Sequence, residues 1–205
     1  MNWYDRYILP HIIHFVCKTG FAGEKRERVV PMAHGDVLEV GIGSGLNLPY
    51  YDPGKVRRVV GIDPSGELWR LQVKQTSKPA FPVEYIQASA EAIPLEDQSA
   101  DTVLTTFTLC SIPNLSKALE EIHRVLKPSG QFIFFEHGKA PDRSIQCWQN
   151  SINPVWKKFG GGCNLNRDIP GLLRDSGFVF ETLEERYDSG WKPASYHYWG
   201  IARKK

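Results

Sequence analysis

The run Asp36-Val37-Leu38-Glu39-Val40-Gly41-Ile42-Gly43-Ser44-Gly45 decides the fold. A short apolar strand ends in glycines at alternate positions, where the strand must stop and a helix is expected to begin. Glycine lets the backbone turn sharply there and come close to a ligand, because any side chain would occupy the ligand's volume. Further on, a second strand ends in Gly61-Ile62-Asp63-Pro64. An acid at such a strand tip can accept two hydrogen bonds from the vicinal hydroxyls of a ribose. Together the loop and the acid point to a ligand that contains a nucleoside.

Outward from that loop, apolar runs alternate with helical patterns. Strands are expected at Asp36 to Val40, Arg58 to Ile62, Val83 to Gln87, Thr102 to Phe107 and Gln131 to Glu136. The clearest helix carries Leu115, Ala118, Leu119, Ile122, Val125 and Leu126 at helical spacing, with Asn114 as its N-cap and Lys127-Pro128-Ser129-Gly130 as its stop. This alternation predicts an α/β fold, a doubly wound, Rossmann-like, mostly parallel sheet. From Gly138 to Arg167 the alternation lapses in an insertion containing Trp148, Trp156, Phe159 and Gly160-Gly161-Gly162, too glycine-rich for one continuous helix. A helix over Asp168 to Ser176 and two terminal strands follow, which makes seven strands. The chain divides into an N-terminal helical cap (1–34), a ligand-binding core (35–137), the insertion (138–167) and a C-terminal helix and strands (168–205).

Composition narrows the function. The 205 residues make one domain of 41% hydrophobic and 12% aromatic residues, enough for a sizeable core. Lys plus Arg is 25 against 23 for Asp plus Glu, so a nucleic-acid partner is not expected. Cys17, Cys110, Cys147 and Cys163 are scattered, with no C-x-x-C pair and no local His/Cys cluster, so no metal site is expected and a reduced cytoplasmic setting fits. The apolar stretch Ile12-Ile13-His14-Phe15-Val16-Cys17 is far shorter than the ~20 residues of a membrane span, so stable membrane insertion is not expected.

The glycine spacing separates cofactor classes. A dinucleotide loop reads G-x-G-x-x-G and offers helix N-terminal amides to a pyrophosphate, whereas Gly41, Gly43 and Gly45 read G-x-G-x-G with Glu39 just ahead of them. An anion would meet Glu39 unfavourably. A cationic ligand without phosphate, such as S-adenosylmethionine, suits the loop better. The plainer alternative is an ordinary strand-to-helix turn in which Asp63 merely caps the next helix.

The segments Glu39 to Gly45, Gly61 to Ser65, Ser89-Ala90-Glu91-Ala92-Ile93-Pro94-Leu95 and His123 to Gly130 resemble, in order and spacing, a class I S-adenosylmethionine-dependent methyltransferase of the type 11, UbiE-like kind. Thr108-Leu109-Cys110-Ser111-Ile112, Phe135-Glu136-His137 and Gly162-Cys163-Asn164-Leu165-Asn166-Arg167 are similar to the methyltransferase-like 7 group of small-thiol methyltransferases and its soluble bacterial relatives. The resemblance implies the class I methyltransferase fold. It also implies that Gly41 and Gly43 flank the methionine part of the cofactor and that Asp63 holds the ribose. Ala90 and Glu91 would lie beside the adenine, Thr108 would face the sulfonium, and Tyr4 would close over the cofactor.

Methyl transfer needs an aligned, desolvated nucleophile, and a base only where the acceptor must lose a proton. The Asn/Asp-Pro-Pro-aromatic motif common to methyltransferases acting on planar amines is replaced here by Thr108-Leu109-Cys110-Ser111. A thiol, with a reference pKa near 8.5, is intrinsically nucleophilic and needs little help. His137, at the end of the fifth strand, is the first candidate for that help, with Glu136 to orient it or take the proton itself; a histidine merely bonded in a turn before Gly138 is the alternative. Cys110 and Cys163 invite a covalent role, but small buried packing residues explain them as well. Cys110, Trp148, Trp156, Asn164 and Arg167 are the acceptor-side candidates. Asn164 and Arg167 could equally cap the helix near Asp168, and the aromatics could equally be the core of the insertion. A small thiol or sulfide is the expected acceptor. A lipid or quinol acceptor, a non-catalytic cofactor-binding module and a nucleotide-dependent oxidoreductase are the alternatives.

Overall fold

The computed structural model describes residues 3, 7–18, 20–72 and 79–205. In chain order the elements are α1 (Leu9–Lys18), α2 (Gly20–Val29), β1 (Gly35–Val40), β2 (Val56–Ile62), α3 (Gly66–Gln72), β3 (Val83–Ile86), β4 (Ala100–Thr106), α4 (Leu115–Val125), β5 (Leu126–His137), α5 (Arg143–Phe159), α6 (Ile169–Asp175), β6 (Phe178–Tyr187) and β7 (Tyr196–Lys204). The seven strands form one sheet in the order β3-β2-β1-β4-β5-β7-β6. The first five are parallel; β7 runs antiparallel to both its neighbours. Register brings Val40 beside Ile62 and Thr105, so the ends of β1, β2 and β4 open on one edge of the sheet.

Strand β5 shows how the sheet is buried on both faces. Successive side chains of a strand point to opposite sides. Phe132 and Phe134 therefore join Leu119, Ile122 and Phe178 in one cluster, while Ile133 and Phe135 join Val30, Val59 and Trp199 in the other. Each such side chain contributes roughly 1.5–3 kcal/mol on burial. Helix α4 presents Leu115, Ala118, Leu119, Ile122 and Val125 to the first cluster, and Asn114 Oδ1 caps it by accepting from the Lys117 N–H at 3.2 Å.

Three features differ from the sequence expectations. After the glycine loop no α-helix forms; Pro49 ends helical propagation, and only a single 3₁₀ turn, Leu48–Tyr50, is made. The insertion does contain a continuous helix, α5, with Pro154 inside it. The glycines lie beyond it: Gly160 is its C-cap, and Gly161 and Gly162 reverse the chain at φ +63° and +85°. Finally, Lys127 to Gly130 stops α4 but continues as the irregular start of β5, where the register with β4 shifts.

The N-terminal helices lie over the cofactor-loop end of the sheet. His14 Nδ1 is 2.7 Å from Ser44 Oγ in the glycine loop, and Leu9 and Ile13 reach Gly161. Lys25 on α2 is paired with Asp188 at 2.7 Å, with both side chains buried. Among the described residues, no helix is long and apolar enough to cross a membrane.

Candidate functional site

Gly41 follows β1 at φ +76°, and a Cβ built on it would lie 2.3 Å from Thr108 Oγ1. The loop between β1 and the 3₁₀ turn and the loop after β4 therefore touch across the sheet edge through a residue that must lack a side chain. Phe107, just before Thr108, is held at φ 54°, a left-handed conformation that non-glycine residues adopt when their surroundings enforce it. That bend carries Thr108 to Cys110 across the crevice. Nothing in a lone Phe-Thr dipeptide signals it.

Asp63 sits at the tip of β2, 8% exposed, with Oδ2 accepting from the Gly43 N–H at 3.1 Å and Oδ1 from the Ser65 N–H at 2.8 Å. The helix-cap alternative fails: α3 is capped by Ser65, whose Oγ accepts from the Leu68 N–H at 3.3 Å. Burial raises the Asp63 pKa against the lowering effect of those two amides. Two amides on one carboxylate leave lone pairs for further donors.

Glu39 is buried, with Oε1 accepting from Asn47 Nδ2 at 2.9 Å and Oε2 from Tyr51 Oη at 2.7 Å. Arg26 Nε donates to Asn47 Oδ1 at 2.9 Å and completes the network. Glu39 therefore organises the glycine loop from beneath, a role its place in the motif does not disclose. Burial pushes its pKa up to about 7, against the hydrogen bonds from Tyr51 and Asn47. A carboxyl whose folded pKa is raised contributes stability below its unfolded value near 4.3, and that contribution is lost as pH rises through about 7. Glu136 shifts in the same direction. Thermal denaturation between pH 5 and 8 should show stability falling as pH rises, and Glu39→Gln should remove up to about 3 kcal/mol of that fall. An identical slope in the variant would refute the assignment to Glu39.

Of the two residues expected beside the adenine, Ala90 is buried, and Glu91 Oε1 accepts from the Asn114 N–H at 2.6 Å, so Glu91 fixes the start of α4. Tyr4 lies outside the described residues.

Glu136 and His137 end β5. Glu136 is 0% exposed; Oε1 accepts from the Thr108 N–H at 3.0 Å, and Oε2 has no hydrogen-bond partner among the described residues. Burial raises its pKa to about 7, against the backbone amides of Thr108 and Leu109. His137 is not bonded in a turn. It pairs with His197 in the sheet register, and its Nε2 lies 3.1 Å from Cys163 Sγ. Burial lowers the His137 pKa, but the hydrogen bond and charge of Cys163 outweigh that and raise it. The Cys163 pKa is lowered, against burial, by its contact with Cys110, then by His137 and by the Trp156 indole N–H, which donates at 3.3 Å. Cys110 is correspondingly pushed up and keeps its proton.

Two of the four scattered cysteines, Cys110 and Cys163, are thus brought together with a histidine rather than serving only as packing. Cys110, His137 and Cys163 place their ligand atoms within 4.8 Å of one another. The sequence hides this because the three residues come from the loop after β4, the end of β5 and the loop after α5. Asn164 and Arg167 explain the convergence: Asn164 donates to the Cys110 carbonyl from its backbone N at 2.9 Å and from Nδ2 at 2.8 Å, and Arg167 donates to the Leu109 carbonyl. They clamp the loop after β4, while Asp168 itself caps α6 through the Gly171 N–H. Trp148 and Phe159 are 62% and 58% exposed, so they form no core for the insertion; Trp156, partly exposed, touches Cys163 and Trp191.

A methyltransferase-domain family model matches residues 38–134. The chain is similar to human thiol S-methyltransferase TMT1A, 32% identical over 99% of this chain and 86% of that protein. It is also similar to rat thiol S-methyltransferase TMT1B, 33% identical over 82% of this chain and 70% of the other. The ubiquinone/menaquinone biosynthesis C-methyltransferase UbiE of Rickettsia bellii is 32% identical over 77% of this chain and 67% of its own. A solved SAM-dependent methyltransferase from Thermotoga maritima shares the fold, with TM-score 0.68, 20% identity and 98% coverage of both chains. The residues present fit that cofactor: a loop in which a Cβ at Gly43 would meet no atom nearer than 4.0 Å, a buried acid at the β2 tip with lone pairs left for a diol, and carboxylates in place of a phosphate cradle. With loop, acid, sheet order and relatives in agreement, the chain belongs to the S-adenosylmethionine-dependent methyltransferases of class I.

Proposed function

We propose that this methyltransferase acts on a small thiol or sulfide and that Glu136 takes the acceptor's proton. The observation that carries this is the buried Glu136 carboxyl, tied by one oxygen to the Thr108 N–H and without a partner within hydrogen-bond distance at the other among the described residues. Gly41, Gly43 and Asp63 hold the cofactor, which supplies an electrophilic methyl group when bound. With a pKa near 7 the Glu136 carboxylate is a base matched to a thiol near 8.5. The contact with Cys163 raises the His137 pKa against the effect of burial, which favours a cationic ring beside an acceptor arriving as thiolate and makes His137 the weaker candidate for proton acceptor. The Thr108-Leu109-Cys110-Ser111 segment offers no paired prolines for a planar amine. Two relatives named thiol S-methyltransferase support the same acceptor class.

A panel of alkyl and aryl thiols and hydrosulfide, set against quinols and phospholipids, tests this by product formation. Alkyl thiols should turn over, with kcat/KM rising with pH through about 7 as Glu136 ionises. Glu136→Gln should lose that limb and about 100-fold in kcat with alkyl thiols. It should lose far less with an aryl thiol that is already ionised. Equal losses with both thiols would remove Glu136 as the base. A quinol or lipid acceptor is the second possibility, favoured by exposed apolar residues on adjoining elements, Ile12 and Phe15 on α1 and Val155 and Phe159 on α5. Turnover confined to quinols or lipids would establish that class instead.

A further inference from the structure

We propose that Cys110, His137 and Cys163 form a binding site for one thiophilic divalent cation, of the zinc class. Two sulfurs and one imidazole nitrogen already lie within 4.8 Å of one another, and His137 Nε2 is 3.1 Å from Cys163 Sγ. Tetrahedral zinc with Zn–S near 2.3 Å and Zn–N near 2.0–2.1 Å requires sulfur–sulfur and sulfur–nitrogen separations of about 3.8 and 3.6 Å. The His137–Cys163 pair would open by roughly half an ångström to reach that geometry. A side-chain rotation suffices for such a change.

The backbone around the three ligands is braced independently of any ion. Asn164 ties the Cys163 segment to the Cys110 carbonyl, Arg167 ties the next turn to the Leu109 carbonyl, and the Lys139 N–H donates to the Arg167 carbonyl at 2.8 Å just beyond His137. The Trp156 indole N–H already donates to Cys163 Sγ, a contact that orients a metal-bound thiolate and tempers its charge. Loading would release the Cys110 proton, and any proton on the ligating His137 nitrogen, to solvent; the two resulting thiolates cancel the charge of a divalent ion, so the three ligands and the ion together carry no net charge. The softness of the set selects zinc-like ions over magnesium or calcium. Three protein ligands leave a fourth position open to solvent or a small ligand. An ion there would hold His137 through a ring nitrogen, so metal and proton compete for the same imidazole.

The site does not depend on the identity of the methyl acceptor, and its test needs no turnover. The protein, kept reduced, is equilibrated with zinc, freed of excess ion and analysed for bound metal. Wild type and the control Cys147→Ser, an exposed cysteine outside the cluster, should each retain about one zinc per chain; Cys163→Ser and Cys110→Ala should fall to background. Loading with cobalt should give a thiolate-to-cobalt charge-transfer band in wild type that disappears in Cys163→Ser. Binding of S-adenosylmethionine by calorimetry verifies that a variant is folded. If Cys110→Ala does not fold, the wild-type cobalt spectrum and Cys163→Ser decide. Wild type without stoichiometric zinc, zinc retained by Cys163→Ser, or cobalt bound without the thiolate band would overturn the site. An inactive protein that still binds zinc through these thiols would overturn only the thiol-methylation proposal.

Discussion

Asp63→Ala is expected to weaken binding of S-adenosylmethionine by about 100-fold or more, read as the dissociation constant in calorimetry. Two hydrogen bonds from a ribose diol to a buried carboxylate are each worth roughly 1.5–3 kcal/mol, and about 2.7 kcal/mol already corresponds to 100-fold. The same carboxylate holds the Gly43 and Ser65 amides, so its removal also loosens the loop. Asp63→Asn keeps the shape and one acceptor oxygen, and should fall between wild type and alanine. Because Ser65 caps α3, the helix should survive in both variants, and circular dichroism should change little. Wild-type affinity in Asp63→Ala would mean that the ribose lies elsewhere.

Gly41→Ala should be the other severe change. The backbone at φ +76° costs a non-glycine residue about 1–2 kcal/mol. In addition, the new methyl group would sit 2.3 Å from Thr108 Oγ1 and 2.4 Å from its Cγ2, so the β4 tip must move. Together these predict a loss of about 2–4 kcal/mol in unfolding free energy and a loss of cofactor affinity of tenfold or more. The double variant Gly41→Ala/Thr108→Ala separates the two causes. It should restore the steric part and leave the backbone part, a coupling visible in a double-mutant cycle. Strictly additive effects would show that the two loops do not press on each other in the cofactor-bound protein.

Much of this architecture was legible in local sequence. The parallel strands, α4 with its Asn114 cap, and the acid after β2 all follow from periodicity and position, because neighbouring residues decide them. What escaped was set by contacts between distant residues. Glu39 looked like a ligand-facing acid, yet Asn47, Tyr51 and Arg26 enclose it in a network that only the folded loop assembles. The helix expected after Gly45 is cut short by Pro49, a residue that could have warned of it. Helix α5 was obscured because Pro154 and the nearby glycines suggest irregularity, although the glycines fall after its last turn. Cys163 joined Cys110 and His137 only once the clamps from Asn164 and Arg167 were in place.

Strand β7 comes last in the chain yet lies between β5 and β6. A ribosome making this protein could let β1 to β5 and their helices assemble early, but β6 would have no neighbour until the following strand emerged. The sheet then closes in one late step, and until it does one side of β5, with the Glu136–His137 end that faces the crevice, is an open edge. Nascent chains should therefore depend on a holding chaperone longest at that edge, and the Glu136–His137 end should be among the last parts of the molecule to mature.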